Sequence, residues 1–147
     1  MIYKINKGLV WFDNNSQIIF NPVSVSDNKI GDKVFNKILR ENYRNVYDEY
    51  KDYIIDIPKN KLLGDIQLIQ IDKSRTVMNG YVYKNDQLDL YCLTKTLVEL
   101  YNLGTEYKLN IALSLSMYNI STEELKIINT IIETIFTDFD YYLYLYK

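Results

Sequence analysis

A short apolar run, a polar loop and a long amphipathic segment follow one another between Gln17 and Tyr50, and this order constrains the fold more than any other feature. Residues 17–20, Gln-Ile-Ile-Phe, form a short and mostly apolar run of the kind typical of a strand buried on both faces. Positions 21–32 are rich in small polar residues and include a glycine near their end, and apolar side chains then recur every three or four residues up to Tyr50. In an open α/β sheet, ligands bind where a strand leads through such a loop into a helix, because the free N–H groups at the helix start attract anions. The stretch therefore predicts an α/β fold and the position of a binding site.

The remaining patterns predict strands and helices in alternation. The central strand at 17–20 extends to Val23. Further strands are predicted from alternation or short apolar runs at 2–5, 65–72, 76–83, 110–115 and 141–146. Helices are predicted at 32–52, from Leu90 to a left-handed cap near Gly104, and from a capping box at Ser121 onward. Residues 55–60 are predicted to be a linker.

Strands that alternate with helices imply a sheet covered by helices on both faces. The chain has 147 residues, with no internal repeat and no interdomain linker in its sequence. We therefore expect one domain over residues 1–147.

Composition excludes several classes of function. The net charge is −2 and no strong basic run occurs, which argues against a nucleic-acid partner. There is no histidine and Cys92 is the one cysteine, so we expect no metal site and no intrachain disulfide. No signal peptide and no apolar run long enough to span a bilayer are visible, so we expect a cytoplasmic protein with no membrane partner.

The loop after the central strand holds the first set of candidate ligand contacts. Four polar residues can form the floor of a ribose or phosphate site: Asn21, Ser24, Ser26 and Asp27. The alternative is a loop whose side chains bond to their own backbone. Gly31 and the amides of Asp32 and Lys33 can hold a phosphate at the helix start, or Gly31 can simply make the turn.

The loop before the last helix holds the second set. Its candidate ligand contacts are Ser114, Ser116, Met117, Tyr118 and Asn119. Tyr118 can cover a planar ring, whereas Ser121 is better explained as the helix cap. Asn79, beside Gly80, is either a ligand contact or a structurally satisfied amide, and Cys92 is interpreted as a small core residue.

The order of these elements and several motifs resemble the macrodomain family, which binds ADP-ribose and its derivatives. The similarity is greatest to small stand-alone macrodomain-like proteins of bacteria and phages. The matching segments are Lys-Gly-Leu at 7–9, Phe-Asn-Pro-Val-Ser at 20–24, Ile-Gly-Asp-Lys-Val at 30–34, and Leu-Gly-Asp-Ile at 63–66 followed by Val-Met-Asn at 77–79. The resemblance implies a three-layer α/β/α fold with a mixed central sheet.

The departures from the family pattern lie in the site. The aspartate that commonly holds the adenine amino group is replaced by Leu9, and the second asparagine of the distal-ribose motif by Ser24. The phosphate loop at 115–121 has no glycine, although backbone approaches a pyrophosphate closely where side chains are absent. The catalytic histidine of some branches is absent and this loop has no aspartate.

The resemblance and its departures together imply a module that binds an ADP-ribose-derived or related nucleotide small molecule without a cofactor and without turnover. In a phage, such a protein can sequester a host immune signal made from NAD, in the host cytoplasm. One alternative is an ADP-ribosyl hydrolase or an ADP-ribose-1″-phosphate phosphatase that uses Asp27, Asp32 or Lys84. Another is a protein-interaction module with a degenerate pocket and a tyrosine-rich contact surface.

Overall fold

The computed structural model describes residues 2–5, 9–10, 13–25 and 33–146, and for residues 33–36 it describes the backbone alone. Residues 26–32 of the predicted loop at 21–32 therefore lie outside the described residues.

A single mixed sheet forms the middle layer of the described structure. Its strands are β1 (Ile2–Ile5), β2 (Ile18–Ser24), β3 (Ile66–Gln70), β4 (Thr76–Lys84), β5 (Gln87–Leu88), β6 (Ile111–Ser114) and β7 (Leu143–Tyr146). Their order is β1-β7-β6-β2-β4-β3, with β5 paired to β4. The first five strands in that order run parallel, and β3 and β5 run antiparallel to β4. The predicted strands are thus confirmed, with β1 at one edge.

Helices cover both faces of this sheet. They are α1 (Lys33–Asn42), α2 (Arg44–Asp56), α3 (Lys59–Leu62), α4 (Leu90–Tyr107) and α5 (Thr122–Ile135). Strand alternation divides the core into two: Phe20 and Met78 pack towards α4 and α5, whereas Ile19 and Val77 pack towards α1 and α2. The predicted three-layer α/β/α architecture is confirmed. None of the described helices combines the length and the apolar character needed to cross a membrane.

The helix predicted at 32–52 is wrong in one respect, because it is two helices that break at Tyr43. This residue leaves helical geometry, with φ −136° and ψ 53°. A straight helix over those residues would be about 30 Å long, whereas the break lets Leu39 of α1 and Tyr50 of α2 both pack on the same sheet face. The predicted linker at 55–60 likewise contains the end of α2 and the start of α3.

The predicted helix end near Gly104 is also wrong, since α4 continues to Tyr107 and its left-handed cap is Lys108, with φ 57°. Gly104 is buried in the helix interior. A Cβ atom there would lie 2.6 Å from Ile111 Cδ1 and 3.0 Å from the Phe139 ring. The glycine is therefore explained by close packing rather than by capping.

Candidate functional site

The carboxyl ends of β2 and β6 form the topological switch point of the sheet. The two strands pair from Ile18–Ile111 to Phe20–Leu113 and no further. Beyond that point β2 continues beside β4 as far as Ser24, whereas Ser114 pairs with Tyr146 of β7. The next described helix after β2 packs on one face and the helix after β6 on the other.

Adjacent parallel strands whose connections leave to opposite faces open a crevice at their carboxyl ends, where ligands of α/β proteins bind. We call this region, with residues 21–25 on one side and 114–119 on the other, the switch-point crevice. The described residues of both sets of sequence-predicted ligand contacts belong to it or flank it, because the two loops follow neighbouring strands.

Asn21 and Asn79, which lie side by side on β2 and β4, are joined by one side-chain hydrogen bond. Asn21 Nδ2 donates to Asn79 Oδ1 over 2.8 Å, and Asn79 Nδ2 donates to Gln67 Oε1 over 3.3 Å. The Tyr81 hydroxyl donates to the same Gln67 oxygen over 2.6 Å. Asn21 is 4% exposed and Asn79 is fully buried. The two amides therefore have structural partners within the sheet, and the ligand contacts predicted for them stay a prediction.

Tyr50 holds the end of β2 at the switch-point crevice. Its hydroxyl donates to the main-chain oxygen of Ser24 over 2.8 Å, and its ring stacks on that of Tyr81 with centroids 6.1 Å apart. Burial raises the pKa of Tyr81, so its hydroxyl remains a donor at neutral pH. Ser24 is itself fully buried. The position of the strand end is thus set by aromatic side chains from α2 and β4.

The loop after β6 begins with a local serine bond. Ser114 Oγ accepts from the Ser116 amide over 3.0 Å, which is the self-bonded form that serine readily takes. The Ser116 side chain is exposed. Met117 turns the other way and is buried in the core beneath α4 and α5. Of these three residues, Ser116 presents its side chain to solvent beside the crevice.

Tyr118 packs against the sheet rather than projecting from a loop tip. Its ring stacks on Tyr83 with centroids 4.3 Å apart, and the Tyr83 hydroxyl donates to its main-chain oxygen over 2.7 Å. Burial, followed by the negative charge of Asp86, raises the pKa of Tyr118 to about 12. Asn119 takes the left-handed conformation at φ 53° and donates its amide to the Asp86 main-chain oxygen.

Tyr83 and Asp86 are the residues that the sequence analysis missed. They tie the glycine-free loop to the turn between β4 and β5, so that Asn119 supplies the left-handed backbone that a glycine would otherwise provide. A usable signal was present for Tyr83: a tyrosine at the carboxyl end of a buried strand carries a hydroxyl that needs a partner.

The other predicted residues divide into described and undescribed positions. Ser26, Asp27, Gly31 and Asp32 lie outside the described residues. The backbone of Lys33 begins α1. Lys84 ends β4 at the same edge as the crevice and is exposed. Ser121 caps α5 with a complete capping box, as predicted, and Cys92 is buried as predicted.

A cavity of about 590 Å³ lies at the opposite edge of the sheet from the switch-point crevice, that is, at the amino-terminal ends of β2 and β4. Its lining includes the start of both strands, the β3–β4 turn and the end of α4: Gln17, Thr76, Arg75, Leu103 and Tyr107. None of the sequence-predicted site residues that the structure describes lines it. Among the described residues, no cluster of three or more side chains of the types that ligate metals occurs.

The sequence matches no protein-family model and no curated protein. The fold, in contrast, is similar to that of solved macrodomains. The macrodomain of Thermus aquaticus DarG superposes with a TM-score of 0.78 at 13% identity, covering 100% of this chain and 98% of that one. A macrodomain protein from Streptomyces coelicolor gives 0.75 at 12% identity, covering 100% and 99%.

Thermosipho africanus DarTG, solved in complex with ADP-ribose, gives a TM-score of 0.70 at 11% identity. The match covers 90% of this chain and 38% of that larger one.

Proposed function

From the premise that this chain has the macrodomain fold, we propose that it binds an ADP-ribose-derived or related nucleotide small molecule in the switch-point crevice without turning it over. One observation carries the proposal: β2 and β6 part at Phe20 and Leu113, and the loops that follow contain both predicted sets of ligand contacts. An anion is favoured there because α1 begins at Lys33, and the first N–H groups of a helix are unpaired within it.

The residues of the second loop support binding rather than turnover. Tyr118 and Asn119 are occupied with holding the loop to β4 and to the β4–β5 turn. Ser116 offers an exposed hydroxyl, which can donate a hydrogen bond to a ligand or accept one from it. In its finer form, the proposal is that a phage-encoded protein in the host cytoplasm sequesters a host immune signal made from NAD.

The test is calorimetric titration of the purified chain with ADP-ribose, cyclic ADP-ribose isomers and ADP. We expect saturable binding of at least one of them. Ser116→Trp places a bulky ring beside the crevice and should weaken that binding at least about tenfold. The matched control is Ser74→Trp, because Ser74 is exposed beside the cavity at the opposite edge.

Absence of binding to every nucleotide would end the proposal. Loss of binding in Ser74→Trp alone would instead assign the ligand to the cavity at the opposite edge. Circular-dichroism melting of both variants shows whether either change has disturbed the fold.

A hydrolase or phosphatase is the second candidate, and the position of Lys84 favours it. This exposed lysine ends β4 at the carboxyl edge, beside the turn that holds the Tyr118 loop. Electrostatic stabilisation by such a charge can contribute to catalysis without histidine. Turnover of an ADP-ribosylated protein or of ADP-ribose-1″-phosphate, lost in Lys84→Ala and Asp27→Ala, would support it, whereas a wild-type protein that binds without turnover would exclude it for these substrates.

A protein-interaction role has one supporting observation, a group of two exposed tyrosines and one half-buried tyrosine on β1 and at β7. Tyr3, Tyr142 and Tyr144 have ring centroids 5.4 to 6.3 Å apart, and Tyr3 is 39% exposed. Aromatic residues are enriched at interfaces. A partner captured by the wild type but not by Tyr3→Ser/Tyr142→Ser, together with no nucleotide binding, would favour this role.

A further inference from the structure

We propose a second anion site, separate from the switch-point crevice, on the outer surface of the α1–α2 pair. A cavity of about 390 Å³ there is lined by Arg40, Arg44, Tyr47, Asp48 and Lys51. We call these five residues the α1–α2 cradle, and we assign to it a phosphate-type oxyanion, either inorganic or carried by a nucleotide.

Tyr47 organises the cradle because its ring holds two cations in place. The Arg40 guanidinium carbon lies 4.9 Å from the ring centroid, and Lys51 Nζ lies 5.3 Å from it. Both distances are within the range of a cation–π contact. Tyr47 is only 7% exposed and packs in the core formed with α1 and α2, so the ring that contacts the two cations is held in a fixed position.

The cradle has an excess of positive charge that nothing in the described structure balances. Arg44 pairs with Asp48, with Nε and Oδ2 3.7 Å apart. Within the described residues, Arg40 and Lys51 make no ion pair. Two cations held on one ring in a chain of net charge −2 repel each other, and an anion between them relieves that repulsion.

The hydrogen bond between Arg40 and Tyr47 leaves the Tyr47 hydroxyl free to donate its own proton to a ligand. Arg40 Nη2 donates to the Tyr47 hydroxyl oxygen over 3.0 Å, so the hydroxyl proton points away from the guanidinium and can be donated to a ligand. A planar guanidinium, an ammonium and a hydroxyl proton around one cavity match an oxyanion with several acceptor oxygens. Phosphate has that acceptor set, and the cavity has room for a diphosphate.

The test is titration of the ¹⁵N-labelled chain with inorganic pyrophosphate, followed by NMR at the Arg40 and Arg44 Nε–Hε groups and at the Lys51 amide. We expect saturable shifts at these positions. Arg40→Gln/Lys51→Gln should weaken the binding at least about tenfold, because it removes both unpaired charges. Tyr47→Phe keeps the ring and should weaken binding by a smaller factor, through loss of the hydroxyl donor.

The matched control is Lys59→Gln/Lys61→Gln, which removes the same charge from two exposed lysines of α3 and should leave the affinity unchanged. Shifts that do not saturate, or equal weakening in both double variants, would overturn the proposal, as would equal affinity for citrate. A parallel titration with ADP in the Ser116→Trp background separates the two sources of phosphate. Tighter binding of ADP than of pyrophosphate assigns the cradle to a nucleotide, and the reverse assigns it to the inorganic ion.

Discussion

At the scale of single residues, a few polar side chains inside the sheet decide how the carboxyl edge is built. The amide pair of Asn21 and Asn79 bridges the two central strands, and the Tyr50 hydroxyl fixes the Ser24 carbonyl at the strand end. A buried polar group stabilises the fold when its partner is present and costs free energy when the partner is removed. These residues are therefore coupled to the shape of the switch-point crevice whether or not they touch a ligand.

Asn21→Ala tests the structural part of that role. The change leaves Asn79 Oδ1 without its donor in a fully buried position, so we expect the free energy of unfolding to fall by about 1–3 kcal/mol. Urea denaturation measures the loss. Asn102→Ala, at an exposed position of α4, is the control and should change stability by less than about 0.5 kcal/mol. Equal losses in the two variants would contradict a stabilising amide pair.

The raised pKa of Tyr118 predicts that the free energy of unfolding falls at alkaline pH. Its pKa is raised in the folded protein from 10.0 to about 12. Between these values the unfolded state has lost the phenol proton and the folded state has kept it, so the free energy of unfolding falls as pH rises through this window. The contribution of this tyrosine is fully present below pH 10.0.

Urea denaturation at several pH values in that window checks the prediction. Tyr118→Phe should flatten the decline, because the phenol that titrates differently in the two states is gone. Tyr91→Phe is the control, since Tyr91 is 78% exposed and should leave the slope as it is in the wild type. A Tyr118→Phe slope equal to the wild-type slope would refute the assignment.

At the scale of elements, the helices are shaped by what they pack against rather than by their own sequence alone. α4 tolerates a glycine in its last turns because Ile111 of β6 and Phe139 occupy the space of a side chain. α1 and α2 are separate because two shorter helices fit the sheet face on which Leu39 and Tyr50 both pack. In each case a tertiary contact overrides a local signal.

Gly104→Ala separates the two explanations of this glycine. Helix propensity alone predicts a gain of about 1 kcal/mol. The new Cβ would lie 2.6 Å from Ile111 Cδ1 and 3.0 Å from the Phe139 ring, so we expect overpacking to outweigh the gain and to lower stability by about 1–2 kcal/mol.

Two further variants make that result interpretable. Thr105→Ala, at the exposed neighbouring position, should gain helix propensity without a clash. Ile111→Val removes the nearest clashing atom, so in the double variant with Gly104→Ala the loss of unfolding free energy should be smaller than the sum of the two single losses. Additive losses would show that the contact with Ile111 is not the cause.

At the scale of the whole molecule, the two halves of the core share one sheet. Ile19 and Phe20, adjacent on β2, belong to different cores, so each core depends on the same strands. Removing either helix layer would expose one face of the strands that both cores share. This arrangement favours unfolding as one unit.

We expect the protein to unfold in a single cooperative transition on heating or in urea. A bound ligand should move the midpoint of that transition upward. Far-UV and near-UV circular dichroism should report one coincident transition. ADP-ribose at about a hundred times its Kd should raise the free energy of unfolding by about 2.7 kcal/mol. Separate transitions would contradict one domain over residues 1–147, and an unchanged midpoint would contradict the proposed ligand.

The sequence by itself determined the local elements of this protein. Strict alternation predicted β3, spacing of three and four predicted the helices, and the serine of the capping box marked the start of α5, because each of these patterns is written in neighbouring residues. The order of elements also predicted a sheet covered by helices on both faces and the edge of the sheet where a ligand is expected, whereas the mixed sheet was implied by the resemblance to macrodomains.

The tertiary structure decided which residues far apart in the chain come into contact. It placed β6 beside β2 and thereby created the switch point, and it paired Asn21 with Asn79. It also turned Tyr118 onto Tyr83, 35 positions away, so that the loop is held by side chains instead of glycines. No local period encodes such partners, because they depend on which faces meet when the sheet is assembled and on the volume that each side chain finds there.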